Sequence, residues 1–345
     1  MGSNTKIEWT EATWTPVRAI REDDGKTGAH CEKVSPGCKN CYAERLNMRS
    51  LPYNGTGLEF TVLNRETVQI IVDEELLLKP FKMKHSRNIF VCSQTDLFGD
   101  FVDDYQIAQV FAVMAVAHWH TFQVLTKRTE RMSALLNSSE FWDLVDSLMH
   151  EAIEEAVDPL ERRIDDLRAT APEVDPETPL ANVWLGTSAE SHEWALKRIP
   201  WLNSTPAIKR FVSLEPLLGP IDIDLFLQLG LLNWVIVGGE SGPGARPMHP
   251  DWARLLLTQC QDAEVPFFFK QWGEWLPWDQ RDPNKESHWH SKQVKTMQID
   301  GQTFTGETTG WAVMNKSLGM CPTYRVGKKA AGRLLDGREW NEVPA

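Results

Sequence analysis

The chain has no run of about 18 consecutive apolar residues, so no segment is expected to cross a membrane as a helix. Its first residues, MGSNTKIEWTEATW, contain no apolar stretch and lack the shape of a secretory signal. Cysteine is sparse: there are six, three of them crowded into one loop, which does not suit a secreted disulfide framework. A reduced, cytoplasmic setting is expected. Excess basic charge is missing too, since 36 Lys and Arg stand against 48 Asp and Glu, a formal net charge of −12. That balance opposes non-specific attraction to nucleic acid but leaves room for a local basic groove. Neither a P-loop nor a G-x-G-x-x-G fingerprint occurs. The chain does have 345 residues with an apolar fraction of 42%, enough to bury a sizeable core without disulfides. It also has fifteen tryptophans. Several (Trp9, Trp14, Trp272, Trp275, Trp278 and Trp289) sit in polar contexts, where packing is the commoner role and stacking on a flat ligand the functional one.

The most informative stretch is HCEKVSPGCKNCYAERLNMR, from His30 to Arg49, with Cys31, Cys38 and Cys41 at spacing C-x6-C-x2-C. Three thiolates on one short loop suit a metal centre and leave one coordination position open. Pro36-Gly37 permits a tight turn, and a helix expected to open at Tyr42 aims its N–H groups towards the thiolates. On spacing alone three readings stand level. The loop is a zinc site completed by His30 or a distant residue, an iron–sulfur site, or a set of structural thiols.

Further along, short apolar runs each end in polar residues and precede a helical pattern. The runs are Ile89–Cys92, Phe122–Leu125, Val183–Gly186, Arg210–Ser213, Trp234–Val237 and Pro266–Phe269. Helices are expected over Tyr105–His118, Glu130–Leu136, Glu193–Ile199, Leu225–Leu229 and Pro250–Ala263. Strands without alternation are buried on both faces, and intervening helices imply parallel pairing. With one more strand near the N-terminus, this predicts an α/β fold, a full or partial (β/α) barrel of the TIM type, over residues 1–273. A doubly wound open sheet is the competing arrangement. Residues 140–179 read as an inserted helical excursion, acidic and kinked at Pro159, and Arg18–Gly28 as a flexible insertion. Residues 274–345 read as an irregular appendage rich in Trp and Pro, with a basic helix-like run over Val326–Leu335.

In such folds the active site lies at the carboxyl ends of the strands. Those ends carry Ser93 and Asp96, Lys127 and Arg128, Ser188 and Glu190, Ser213 and Glu215, Glu240, and Lys270. Unpaired charge is costly inside a protein, so these groups either ring a polar ligand or pair with one another, for instance Lys127 or Lys270 with Glu215 or Glu240. The functional reading makes Asp96, Glu215, Glu240 and Lys270 the catalytic candidates. Tyr42, Ser93, Lys127, Ser188, Ser213 and Arg246 are then the candidate contacts of a bound polar ligand or cofactor. Arg246 lies in the glycine-rich segment GGESGPGARP and suits a carboxylate or phosphate, with His249 nearby as a ligand, an acid/base or a surface residue.

The cysteine loop, SLEPLLGPI (Ser213–Ile221), VIVGGESGPGARPM (Val235–Met248) and FFFKQWG (Phe267–Gly273) occur in this order. In these motifs the chain resembles a phage-associated three-cysteine family of unknown function that is similar to the radical S-adenosylmethionine enzymes. The resemblance runs from Trp9 to GRLLDGREW (Gly332–Trp340). It implies a [4Fe–4S] cluster held by Cys31, Cys38 and Cys41, with S-adenosyl-L-methionine chelating the fourth iron through its amino and carboxylate groups. Reductive cleavage of that cofactor would give a 5′-deoxyadenosyl radical able to take hydrogen from a substrate. An electron donor such as flavodoxin or ferredoxin is implied with it. The phage association points to a nucleic acid or nucleotide substrate, for repair or base modification, with Lys127, Arg128, Lys328, Lys329 and Arg333 available to phosphate. Two features depart from the radical-enzyme pattern. Its commonest spacing is C-x3-C-x2-C, and its Gly-Gly-Glu motif falls early, whereas Gly238-Gly239-Glu240 falls late, so that motif's role is not carried over. The alternative is a non-catalytic iron–sulfur or zinc-bearing protein that binds a host or phage partner. A third reading is a hydrolase or lyase built on Asp96, Glu215, Glu240 and Lys270.

Overall fold

A computed structural model describes residues 5–49, 55–156, 170–285, 293–305 and 319–344. The expected kink at Pro159 and the indole of Trp289 lie outside them. The chain divides into two compact units. One comprises Met1–Val34, Ala43–Thr187 and Arg198–Arg210; the other comprises Ser35–Tyr42, Ser188–Lys197 and Phe211–Ala345.

The first unit opens with β1 (Ala12–Trp14), β2 (Val17–Arg21), β3 (Thr27–Gly28) and β4 (Val68–Val72). Next come β5 (Asn88–Val91), β6 (Thr121–Thr126) and β7 (Val183–Ser188). Here β1, β5, β6 and β7 pair in that order, all parallel. All six residues of β7 are buried, which is why its sequence shows no apolar alternation. The helices are α1 (Tyr42–Asn47), α2 (Glu74–Leu77), α3 (Asp104–Val116), α4 (Thr129–Leu136) and α5 (Ser139–Ala156). α3 begins at a capping box in which Asp103 and Gln106 satisfy each other's backbone N–H groups. Nine of its 13 residues are buried, so it is a core helix, apolar nearly all round. It packs on α5, with the Phe111 ring edge-on to Phe141 at 5.6 Å and to Trp142 at 5.8 Å.

One expectation is corrected here. Much of the tract Arg18–Gly28 is not a flexible insertion but a hairpin, β2 against β3, with β4 on the other side of β2. Val17 and Ala19 are buried while Arg18 between them is half-buried, a strand alternation masked by the charged residues that follow. Gly25, at φ 69°, closes the turn.

The second unit carries β8 (Lys209–Leu214), β9 (Trp234–Gly238) and β10 (Phe267–Gln271), again parallel and paired in chain order. Before β8 comes α6 (His192–Asn203), of which His192–Lys197 falls in this unit, and between the strands lie α7 (Asp224–Gln228) and α8 (Pro250–Asp262). The stretch expected to be irregular contains an antiparallel sheet of β11 (Trp275–Pro277), β12 (Val294–Gln298), β13 (Thr303–Thr305) and β14 (Met320–Arg325), in the order β11-β14-β12-β13. Within the basic run, α9 (Lys328–Ala331) is a single turn. Residues near the C-terminus lie along β10: Phe269 N–H donates to Trp340 O at 2.9 Å, and Glu342 N–H donates to Phe267 O at 3.3 Å.

The α/β class with parallel strands is thus present. A full barrel is not seen, seven parallel strands being found among the described residues. No described helix is long and apolar enough to cross a membrane. Because Phe111 fills the α3–α5 contact and is almost fully buried, Phe111→Ala is expected to lower stability by about 3–5 kcal/mol in denaturant unfolding. A loss near zero would mean that this packing does not hold the first unit.

Candidate functional site

In the first unit the end of β5 leads into Ser93-Gln94-Thr95-Asp96, and the end of β6 into Lys127-Arg128. Asp96 is buried and its carboxylate accepts four hydrogen bonds. The donors are Thr126 Oγ1 at 2.6 Å, Arg128 Nη1 at 3.0 Å, and the N–H groups of Lys127 and Phe98, each at 3.1 Å. Burial penalises the Arg128 charge, but Asp96, and after it Cys31, hold its pKa above the ordinary guanidinium value. Arg128 Nη2 then donates to Glu32 O at 3.3 Å, while Thr95 Oγ1 donates to His30 O at 2.5 Å. The backbone is therefore tied on either side of Cys31. His30 is buried edge-on to Phe101 at 4.8 Å. Burial first, and the nearby Arg65 and Arg128 charges second, push its pKa down to about 4, so its imidazole is neutral at pH 7.

In the second unit the acids that follow β7 and β9 play the same part. Glu190 Oε1 accepts from Gly37 N–H at 3.0 Å. Glu240 Oε2 accepts from Asn40 Nδ2 at 3.0 Å, from Arg246 N–H at 2.8 Å and from Arg246 Nε at 2.9 Å; its Oε1 accepts from Arg246 Nη2 at 2.6 Å. Burial alone would raise the Glu240 pKa, but the bonds from Arg246 and Asn40 outweigh it and hold the carboxyl below its usual range. Arg246 Nη2 also reaches Pro36 O at 3.0 Å, and Asn40 Nδ2 reaches Gly244 O at 2.8 Å. Ser35–Tyr42, which carries Cys38 and Cys41, is in this way fastened to two strand ends. The same unit holds a separate pair. Lys270 Nζ stands 3.1 Å from Glu215 Oε1, and Ser213 Oγ donates to Glu215 Oε2 at 3.1 Å. Gly238 makes room for that carboxylate, since a Cβ there would stand 2.5 Å from Glu215 Oε1.

The pairing expected for the strand-end charges is therefore present for Lys270 with Glu215, whereas Glu240 pairs with Arg246 and Asp96 with Arg128. Ser93 sits half-buried in the turn after β5; Lys127 contributes its N–H to Asp96; Ser188 ends β7 and is buried; Tyr42 opens α1 and is 43% exposed. His249 is the N-cap of α8. Its Nδ1 accepts from Asp251 N–H at 3.2 Å and its Nε2 lies 3.2 Å from Gly319 O, so both nitrogens are occupied by structural contacts. Sequence reasoning missed Asn40 and Thr95. Asn40 gives no signal between two cysteines, and a hydroxyl that caps a carbonyl far away in sequence leaves no pattern.

All six cysteines are thiols. Cys92, Cys260 and Cys321 are buried, and burial pushes each thiol up to about 12, so these three are inert. Cys31, Cys38 and Cys41 are each partly exposed. As donors, three accessible thiols fit an iron–sulfur cluster in kind. Among the described residues, no group of three or more His, Cys, Asp and Glu side chains is already gathered as a metal ion would need.

In comparisons with known proteins, the profile of a family described as "Protein of unknown function (DUF5131)" matches residues 4–344. No curated protein and no solved structure matches the chain.

Removing the charge of Asp96 leaves Arg128 buried without its main partner. Asp96→Asn is expected to cost about 3–5 kcal/mol in urea unfolding; an unchanged midpoint would show that the tie is not structural. For Glu240 the sign follows from its lowered pKa. Its contribution is fully present above the ordinary carboxylate range and is lost as pH falls through the lower folded value. The difference in Tm between wild type and Glu240→Gln is expected to be largest at neutral pH and to shrink in acid. A difference that grows on acidification would contradict this assignment.

Proposed function

Since the chain belongs to the DUF5131 family, a family of unknown function, we propose its activity from its own residues: a radical S-adenosylmethionine-type iron–sulfur enzyme acting on a nucleic acid or nucleotide. The observation that carries this reading is the division among the cysteines. Three thiols in one anchored loop are partly exposed, while the other three are buried and inert. Structural thiols alone would not call for a loop held by buried acids, because small apolar side chains do the same packing at less cost.

In this reading Cys31, Cys38 and Cys41 hold a [4Fe–4S] cluster, which with S-adenosyl-L-methionine supplies one-electron, hydrogen-abstracting chemistry when bound. Asp96 and Glu240 act on the loop rather than on substrate, because their oxygens already accept from Arg128 and Thr126 and from Arg246 and Asn40. The pair of Glu215 and Lys270 is the better placed to act on substrate. Its side chains are 14% and 18% exposed, and Lys270 can give or hold a proton while Ser213 and Glu215 orient it. Ser93, Lys127, Ser188, Tyr42 and Arg246 complete the proposed cofactor contacts, and a flavodoxin- or ferredoxin-like donor supplies the electron. For a polyanionic substrate, Lys328 and Lys329 on α9, together with Arg333, are the proposed phosphate contacts of the C-terminal run.

The test is anaerobic purification with iron and sulfide quantified, then paramagnetic resonance of the reduced protein with and without S-adenosylmethionine. About four irons per chain, a spectrum altered by the cofactor, and release of 5′-deoxyadenosine are expected. Zinc in place of iron, or a spectrum indifferent to the cofactor, would sink the reading in favour of a metal-bearing interaction protein.

A further inference from the structure

We propose that Asn40, Glu190, Glu240 and Arg246 form a polar latch. It sets the shape of the turn carrying Cys38 and Cys41 independently of the tie on Cys31. That the turn is shaped for an iron–sulfur cluster rests on the function proposed above; the latch itself does not.

Not one residue of Ser35–Tyr42 is buried. A short segment with no apolar anchor has nothing in the hydrophobic effect to fix it, and such segments open at little cost. Inside it, Cys38 N–H donates to Ser35 O at 2.9 Å and Lys39 N–H donates to Pro36 O at 3.3 Å, a single 3-10 turn. One such turn is marginal by itself. The longer ties made by Pro36, Gly37 and Asn40 are polar. Pro36 offers its carbonyl to Arg246, Gly37 its N–H to Glu190, and Asn40 its side-chain amide to both Glu240 and Gly244 O.

These contacts flank Cys38 on both sides and end next to Cys41, so they fix the backbone from which both sulfurs project. The acceptors are buried: Glu190 is 0% and Glu240 6% exposed. A charge-assisted hydrogen bond from such an acceptor is stronger than a surface contact, and leaving the carboxylate without donors would be costly. Steric fit adds to the electrostatics. A Cβ on Gly244 would stand 2.6 Å from Asn40 Oδ1, so a side chain there would push the amide out of its present place. Glu240 and Arg246 are thus positioning residues, with Asn40 as the hand that reaches the turn.

The test uses the reduced, metal-free full chain and measures the alkylation rate of each cysteine by iodoacetamide with mass-spectrometric mapping. Asn40→Ala removes the bonds to Glu240 and Gly244 O and leaves the Glu240–Arg246 pair and the ties of Pro36 and Gly37 intact; Gly244→Ala displaces Asn40 without altering any charge. In both variants Cys38 and Cys41 are expected to label roughly tenfold faster, the scale set by loss of one charge-assisted hydrogen bond. Cys31, whose neighbours His30 and Glu32 are tied to Thr95 and Arg128 and not to Asn40, is expected to keep its rate within about twofold. Unchanged rates for Cys38 and Cys41, or an equal rise at Cys31, would overturn the latch. Iron content of the anaerobically prepared wild type is a separate readout. If it binds no iron, the proposed function falls while the labelling still decides the latch.

Discussion

A carboxylate buried at a strand end and saturated by donors is the interaction on which the rest of the site depends. Asp96, Glu190 and Glu240 each follow a parallel strand, and each holds the cysteine loop directly or through a neighbouring arginine. Burying a charge is tolerable only when its oxygens are paired, and here some of the pairing groups, Gly37 and Asn40 directly and Arg128 and Arg246 through Glu32 and Pro36, belong or lead to the segment His30–Tyr42. Fixing a loop this way gives direction as well as strength. An apolar contact tolerates sliding, whereas a carboxylate with several donors accepts one arrangement.

The parallel strands make this possible. Their middles are largely apolar and buried from both faces, as in β7 and β9, with the buried Gln123 of β6 an exception, so most polar residues fall where the strand stops. The same rule places Lys270, Glu215 and Ser213 together, with Gly238 leaving space for the carboxylate. Two kinds of polar group result: acids consumed in holding the loop, and the Glu215–Lys270 pair, which is partly open to solvent.

Much of this was legible in the sequence. The runs around Ile89, Phe122, Val183, Phe211, Val235 and Phe267 all became strands, because β-branched and aromatic runs between helical patterns have few other fates. The helices at Asp104, Thr129, His192, Asp224 and Pro250 likewise began near their expected starts. The hairpin over Val17–Gly28 was hidden because its outward residues are charged and its inward ones small. The antiparallel sheet after Trp275 was hidden because Trp and Pro crowd its first strand. In the site, strand-end acids could be found from position alone. Which of them face a ligand and which face the chain could not, since the donors on Asn40, Thr95 and Arg246 come from distant segments.

The residues lying along β10 have a consequence of a different kind. Phe267-Phe268-Phe269 is an aromatic strand, last in its parallel order, and its outer rim of N–H and C=O groups would otherwise stand open to any extended chain. Trp340 and Glu342 occupy that rim with backbone hydrogen bonds, Trp234 Nε1 donates to Glu342 O at 2.8 Å, and Arg333 lies over the Phe268 ring at 5.0 Å. Trp340–Glu342 thereby take up the backbone hydrogen-bonding groups that an incoming strand would need.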